Sequence, residues 1–269
     1  MIRLGAVGYL NARPLVYGLE SESRFDLRFD VPSECARLLH ARAIDVGLSP
    51  SIEYLRGPQA YEIVPGPAVV SHGAVASVAI YTRRDPREIR SIAMDSSSRT
   101  SVALATVVLK RAYGVAPAPV VLAPDLPSML SQADAALIIG DHALFLDAAA
   151  FGVEKIDLGT AWTRLTGLPF VYAFWASWPE VVAPEDGVAL RAARDRGVHH
   201  LDQVADAIEG DPARRQVARR YLRDNIQYFL GGAEEEGLRT FYRYASELNL
   251  VPAFDGGLRG LHVHDSGVR

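Results

Sequence analysis

The sequence is 269 residues long, with a formal net charge of −4, 49% hydrophobic residues, 22% charged residues and one cysteine. That composition excludes a disordered chain and an internally disulfide-stapled one. With no basic excess or basic stripe, it also excludes a protein that holds nucleic acid or an anionic membrane through its overall field, so an anionic ligand has to be attracted locally, by backbone N–H groups and a few arginines.

Residues 2–7 read as a short buried strand directly after Met1, with no basic leader, long apolar run or small-residue cleavage site before it. No stretch reaches the roughly 18 apolar residues that span a bilayer, so a cytoplasmic protein without a membrane partner is expected. Asn11 is placed to cap a helix through Pro14, Leu15 and Leu19. Residues 25–29 alternate apolar and charged side chains at a period of two, and 33–43 return to helical spacing. Cys35 falls in that helix and reads as a buried small hydrophobe, since no basic or His-rich motif adjoins it. Residues 45–48 form another strand, which ends at Ser49-Pro50-Ser51 and leads into a short helix over 52–55.

A long strand is expected over 74–81, followed by a charged, Pro-containing linker over 83–90. A second α/β set then runs through strand 91–94, helix 100–113, strand 120–122, helix 126–130 and strand 135–139, with Gly114 as the left-handed residue that stops the first helix. Residues 170–175 form a second long apolar strand, and from Glu185 onward helices are expected over 188–208, 213–226 and 234–248. Two similar sets joined by two long strands predict a two-lobed α/β fold hinged like a clam. Lobe I would be residues 1–82 plus 176–269, including the C-terminal helices, and lobe II residues 83–175. A single doubly wound domain is the other arrangement this order admits.

Ligands of α/β sheets lie beyond the C-terminal ends of strands, where helix N-termini converge. Several such junctions are polar beyond what a connection needs: Gly8-Tyr9-Leu10-Asn11, Ser49-Pro50-Ser51, Asp95-Ser96-Ser97-Ser98-Arg99-Thr100-Ser101, and Gly140-Asp141-His142. The serine-rich turn is the most informative. A plain cap needs one hydroxyl, and here Ser97, Ser98, Thr100 and Ser101 supply four beside the N-terminal N–H groups of an apolar helix, which is an anion site. Taken alone, Asn11 and Asp141 read as helix caps. His72, in Ser71-His72-Gly73, precedes the expected crossing strand and is a candidate to face the cleft. His199-His200 and His262/His264 read as solvated surface, as do Arg214-Arg215 and Arg219-Arg220. No phosphate loop, dinucleotide fingerprint or zinc spacing is present, so neither cofactor nor metal is expected.

Five motifs in order, Gly8-Tyr9-Leu10-Asn11-Ala12-Arg13-Pro14-Leu15, Asp45-Val46-Gly47-Leu48-Ser49-Pro50-Ser51-Ile52-Glu53-Tyr54, Ser98-Arg99-Thr100-Ser101, Ile139-Gly140-Asp141 and Thr166-Gly167-Leu168-Pro169-Phe170-Val171-Tyr172-Ala173-Phe174-Trp175, resemble the chorismate dehydratases of the futalosine route to menaquinone. The resemblance runs from Arg3 to about Leu248. It implies the type II periplasmic-binding-protein fold, a cytoplasmic enzyme without cofactor, and the loss of water from chorismate to give 3-[(1-carboxyvinyl)oxy]benzoate. It further implies a dicarboxylate clamped between anion-binding turns of opposite lobes, with Asn11 positioning the substrate and Tyr9, Ser49, Ser51, Ser71, His72, Ser97, Ser98, Arg99, Thr100, Ser101, Gly140 and Asp141 around it. The motifs offer no obvious general base. The substrate's own enolpyruvyl carboxylate is therefore the expected proton acceptor, with Asp141 or His72 as the alternative acid or base. Two rivals of the same fold are a non-catalytic solute-binding protein and the dihydroxynaphthoate-forming lyase of the same pathway.

Overall fold

The computed structural model describes residues 1–261; His262 and His264 lie outside them. The first five strands are β1 (Ile2–Val7), β2 (Phe25–Asp30), β3 (Val46–Pro50), β4 (Glu62–Ser71) and β5 (Val78–Thr82); four stand near their expected places, and β4 is a strand the sequence reading does not include. Parallel neighbours need a crossover connection. A 3-10 turn over Leu10–Val16 lies between β1 and β2, and helix α1 (Pro32–His40) between β2 and β3. β1 pairs in parallel with β2, from Ile2 opposite Phe25 to Val7 opposite Asp30, and with β3 on its other side. Cys35 is fully buried on α1, where desolvation pushes its thiol up to about 12, so it is the inert hydrophobe the sequence predicts.

The second set comprises β6 (Ser91–Asp95), helix α2 (Thr100–Tyr113), β7 (Ala118–Leu122), helix α3 (Leu126–Gln132), β8 (Ala135–Ile139), the short helix α4 (Gly140–Leu144), β9 (Glu154–Asp157) and helix α5 (Leu158–Thr166). β6 pairs in parallel with β7 and β8, and β5 joins antiparallel between β8 and β9. Helix α2 is apolar on nearly every side, and such a helix must be buried; it packs against α5 and the C-terminal region. Gly114 ends it at φ +77°, its N–H donating to the Lys110 carbonyl at 3.2 Å.

The chain then returns through β10 (Phe170–Ser177) and closes with α6 (Pro184–His199), α7 (Leu201–Asp206), α8 (Pro212–Arg220), β11 (Gln227–Phe229) and α9 (Gly232–Glu247). Two sheets result, one in the order β11-β4-β10-β3-β1-β2 and the other β7-β6-β8-β5-β9. Each sheet with its helices forms one lobe of a two-lobed α/β fold. The long apolar strands each stay within one sheet: β10 pairs with β3 and β4, while β5 pairs with β8 and β9. The crossings between sheets are the short segments beside them, residues 72–77 and 167–169. The strand expected from residue 74 begins instead at Val78, because Ala76 takes a left-handed φ of +62° that no strand continues through. Asp157 pins this crossing by accepting from the N–H groups of Val75 at 3.1 Å and Ala76 at 2.7 Å.

The helix expected over 188–208 divides at His200, whose ring stacks on Tyr17 with centroids 5.0 Å apart. His200 is therefore half-buried, whereas His199 is exposed as expected. Among the described residues no helix is long and apolar enough to cross a membrane.

Candidate functional site

A cavity of about 540 Å³, its open mouth included, lies where strand ends of both sheets meet. The first lobe supplies Tyr9, Asn11 and Ala12 from the turn after β1, and Leu48 and Pro50 from the end of β3. The second supplies Ser98, Arg99, Thr100 and Ser101 from the start of α2, and Ile139 and Gly140 from the end of β8. Tyr172 and Ala173 of β10 are part of the wall. Asn11 and the serine-rich turn, separated by about ninety residues in the chain, thus share one cavity.

The four hydroxyls of the serine-rich turn have different employments. Ser97 donates from both its N–H and its hydroxyl to Asp95 Oδ1, at 2.9 and 2.7 Å, and its Oγ lies 3.0 Å from the Tyr9 hydroxyl of the other lobe. Thr100 Oγ1 accepts from the Ile52 N–H at 3.2 Å, so it caps the short turn after β3. Ser98 differs: it is 5% exposed, and its hydroxyl has no hydrogen-bond partner. A buried hydroxyl without a partner costs about 1–3 kcal/mol, which a ligand oxygen at this point would relieve. Ser98 lies at the N-terminal end of a 14-residue helix, where the backbone N–H groups and the macrodipole favour an anion. Arg99 adds a cation at the exposed side of the cavity.

Asn11 is not a cap. The 3-10 turn begins at Leu10, Tyr9 occupies the preceding position, and no side chain of the turn itself caps it. Asp141 does so from the other lobe, its Oδ1 accepting from the Leu10 N–H at 3.1 Å. Burial pushes the Asp141 carboxyl above its ordinary range, and the hydrogen bond from Leu10 partly offsets that rise. Relieved of capping, the Asn11 amide lines the cavity. Behind it stands Tyr221, buried, with its hydroxyl 2.7 Å from Ser77 Oγ on the first crossing.

Gly140 explains how closely the lobes approach. Its φ is +62°, and a Cβ there would meet the Tyr9 ring at 2.8 Å, inside any ordinary contact distance. Only glycine tolerates both conditions. Burial also raises the Tyr9 phenol, with the Ser97 contact opposing, so the ring stays neutral near pH 7.

Other expected site residues stand one layer back. Ser51 is fully buried and donates to the Val171 carbonyl at 2.8 Å, with Thr100 Oγ1 3.5 Å away. Ser49 is buried with its hydroxyl 3.4 Å from the Pro50 carbonyl. Ser71 binds the hydroxyl of the lining residue Tyr172 at 3.0 Å. His72, expected at the cleft, is exposed on the crossing and is not a lining residue. Asp141 faces a neighbouring groove that also holds Arg13 and Arg214. Tyr172 and Tyr221 were not foreseeable from motif chemistry. Tyr172 sits in an apolar strand and Tyr221 beside the charged pair Arg219-Arg220 that reads as surface, and only the folded chain brings their hydroxyls to this site. Among the described residues lining the cavity none is Asp, Glu or His.

A family model described as menaquinone biosynthesis matches residues 2–247 of the chain. The chain is 33% identical over 267 residues to the chorismate dehydratase of Thermus thermophilus, an alignment covering 93% of this chain and 97% of that protein. Among solved structures, protein AF1704 of Archaeoglobus fulgidus superposes with a TM-score of 0.74 at 16% identity, covering 93% of this chain and 98% of the other. The Candida albicans CA3427 gene product, described as having the generic periplasmic binding protein fold, gives 0.63 at 11% identity, over 95% and 92% of the two chains. At such identities the structural likenesses establish the fold alone.

Proposed function

The chain belongs to the menaquinone-biosynthesis family that this model describes, and from that premise we propose that it is a cytoplasmic, cofactor-independent chorismate dehydratase. The observation that carries the reading is one cavity lined by both the unpartnered Ser98 hydroxyl, at the start of α2, and Asn11 of the opposite lobe, whose amide caps no helix and meets the Tyr221 hydroxyl behind it. Chorismate carries two carboxylates. One sits at the start of α2, on Ser98, Ser101 and the helix N–H groups, with Arg99 at the rim. The other, on the enolpyruvyl arm, is held by the Asn11 amide.

The reaction removes the ring proton on the carbon that bears the enolpyruvyl ether and the hydroxyl on the next carbon. A C–H and a C–O bond break, the ring becomes aromatic and one water leaves. That proton is vinylogous to the ring carboxylate, so charge builds there in the transition state, where the donors at the start of α2 stabilise it. The lining residues include no carboxylate or imidazole, so the base is the substrate's enolpyruvyl carboxylate, aligned by Asn11. Intramolecular alignment of this kind is worth about 7 kcal/mol or more when near-ideal. The lobes close about residues 72–77 and 167–169, which joins the turns and expels water.

Purified protein mixed with chorismate should produce an aromatic absorbance and, by chromatography, 3-[(1-carboxyvinyl)oxy]benzoate. Binding without turnover would instead favour a solute-binding role, and turnover only of a later pathway intermediate would favour the dihydroxynaphthoate-forming lyase. Turnover should also survive EDTA, because the lining side chains are hydroxyls, an amide, an arginine and apolar groups rather than a metal-donor set. Loss of activity in EDTA, restored by a divalent ion, would overturn that expectation.

Ser98→Ala and Ser101→Ala should each weaken binding of the aromatic product by about 1–3 kcal/mol, as hydrogen bonds to a charged group are lost. Ser98→Ala should at the same time leave the apo melting temperature unchanged or slightly higher, since it removes a buried hydroxyl that has no partner. Earlier melting with unaltered product binding would make the turn merely structural.

A further inference from the structure

We infer that Tyr9 recognises the ring hydroxyl of the substrate by accepting its hydrogen bond, because the phenol's own proton is committed to a one-way chain from Tyr9 through Ser97 to Asp95. The inference rests on the chorismate reading above and adds which substrate group each lobe recognises.

The direction of the chain follows from counting hydrogens. Asp95 is 1% exposed and has donors on both oxygens: the Ser97 N–H and hydroxyl on Oδ1 at 2.9 and 2.7 Å, and the Ile139 N–H on Oδ2 at 3.2 Å. A carboxylate so surrounded acts only as an acceptor. Ser97 has a single hydroxyl hydrogen, and it points to Asp95. What Ser97 Oγ offers Tyr9, 3.0 Å away, is therefore a lone pair, and the phenol must donate. A phenol whose hydrogen is committed in this way presents only oxygen lone pairs to the cavity it lines.

Lone pairs repel carboxylates and attract an O–H. Chorismate has two carboxylates, an ether and one hydroxyl, so the hydroxyl is its only donor at neutral pH. Tyr9 therefore takes the ring hydroxyl, and the carboxylates go to the donors, Ser98 with the start of α2 and the Asn11 amide. The aromatic product has lost this hydroxyl. Tyr9 thus holds the substrate but not the product, and the contact favours product departure.

The test compares two constants in three proteins: KM for chorismate, and the inhibition constant of the aromatic product. In Tyr9→Phe, the product constant should shift only by the factor that Ser97→Ala produces, since both variants lose the bond between the lobes, while KM should rise about three- to tenfold beyond that factor, the value of one hydrogen bond. Ser97→Ala is the control, since it removes the bond between the lobes but keeps the phenol, and it should move both constants by the same factor. The proposal is overturned if Tyr9→Phe shifts both constants equally, which would make Tyr9 only a latch between lobes, or if it leaves KM unchanged. A wild type that neither binds nor converts chorismate would remove the functional reading and this one with it. A wild type that converts it, with either of those Tyr9→Phe results, removes this one alone.

Discussion

Asn11→Asp should leave the protein folded and lower kcat/KM for chorismate by about two orders of magnitude or more. Stability is insulated because Asn11 caps nothing: Asp141 satisfies the Leu10 N–H from the opposite lobe, and Asn11 sits half-buried in the first turn. An acidic residue in a first turn is mildly favourable to the helix dipole. Function has no such insulation. The exchange removes the two amide hydrogens and places a negative charge against the enolpyruvyl carboxylate, the group required both to bind and to take the proton. Asn11→Ser keeps a small donor without the charge and should retain weak activity. Steady-state kinetics of wild type and both variants, beside their melting temperatures, decide the matter. Wild-type kinetics in a folded Asp variant would sink the assignment and direct attention to the Asp141 groove.

How much of this site the sequence reveals depends on whether its signals are local. Helix α2 is legible because its apolar spacing, hydroxyl-rich start and Gly114 stop all lie within one stretch and agree. Strand β4 is not. Pro65 and Pro67 remove two ladder donors and argue against a strand, yet the chain accommodates them where β4 meets the short, irregular β11 and its register with β10 shifts. β9 and α5 are equally obscure, being four and nine residues long, the first half exposed and the second carrying Gly159 in its first turn.

Within the site, residue types are legible but their employments are not. Ser71 and His72 adjoin in sequence, yet Ser71 is buried at the last position of a strand and His72 is exposed. The strand ends between them, so Ser71 stays with the sheet and bonds Tyr172 while His72 goes out to solvent on the crossing. The division of hydroxyls within the serine-rich turn is settled by Tyr9 and Ile52, which lie 88 and 48 residues away in the chain. No local pattern encodes a bond of that span. The same holds for Asp141, read as a cap for its own helix, which instead caps a turn 131 residues earlier.

Gly140→Ala should reduce kcat/KM by at least about tenfold while costing roughly 1–3 kcal/mol of stability. Two effects combine. The left-handed φ of +62° is strained for any residue with a Cβ, a cost borne by the folded protein whether open or closed. The second acts only on closure, because the added methyl would lie 2.8 Å from the Tyr9 ring of the opposite lobe. Tyr9 cannot yield without giving up its bond to Ser97, so the clash is relieved by opening the cleft and separating Asn11 from the start of α2. Two measurements separate the effects. The melting temperature of the apo protein reports both, whereas the further stabilisation that the aromatic product confers on melting reports closure and should shrink. The double variant Tyr9→Ala, Gly140→Ala removes the clash but not the strain, so its kinetic defect should be smaller than the product of the two single defects. A Gly140→Ala protein with full ligand-induced stabilisation and wild-type turnover would show that the lobes work without this contact.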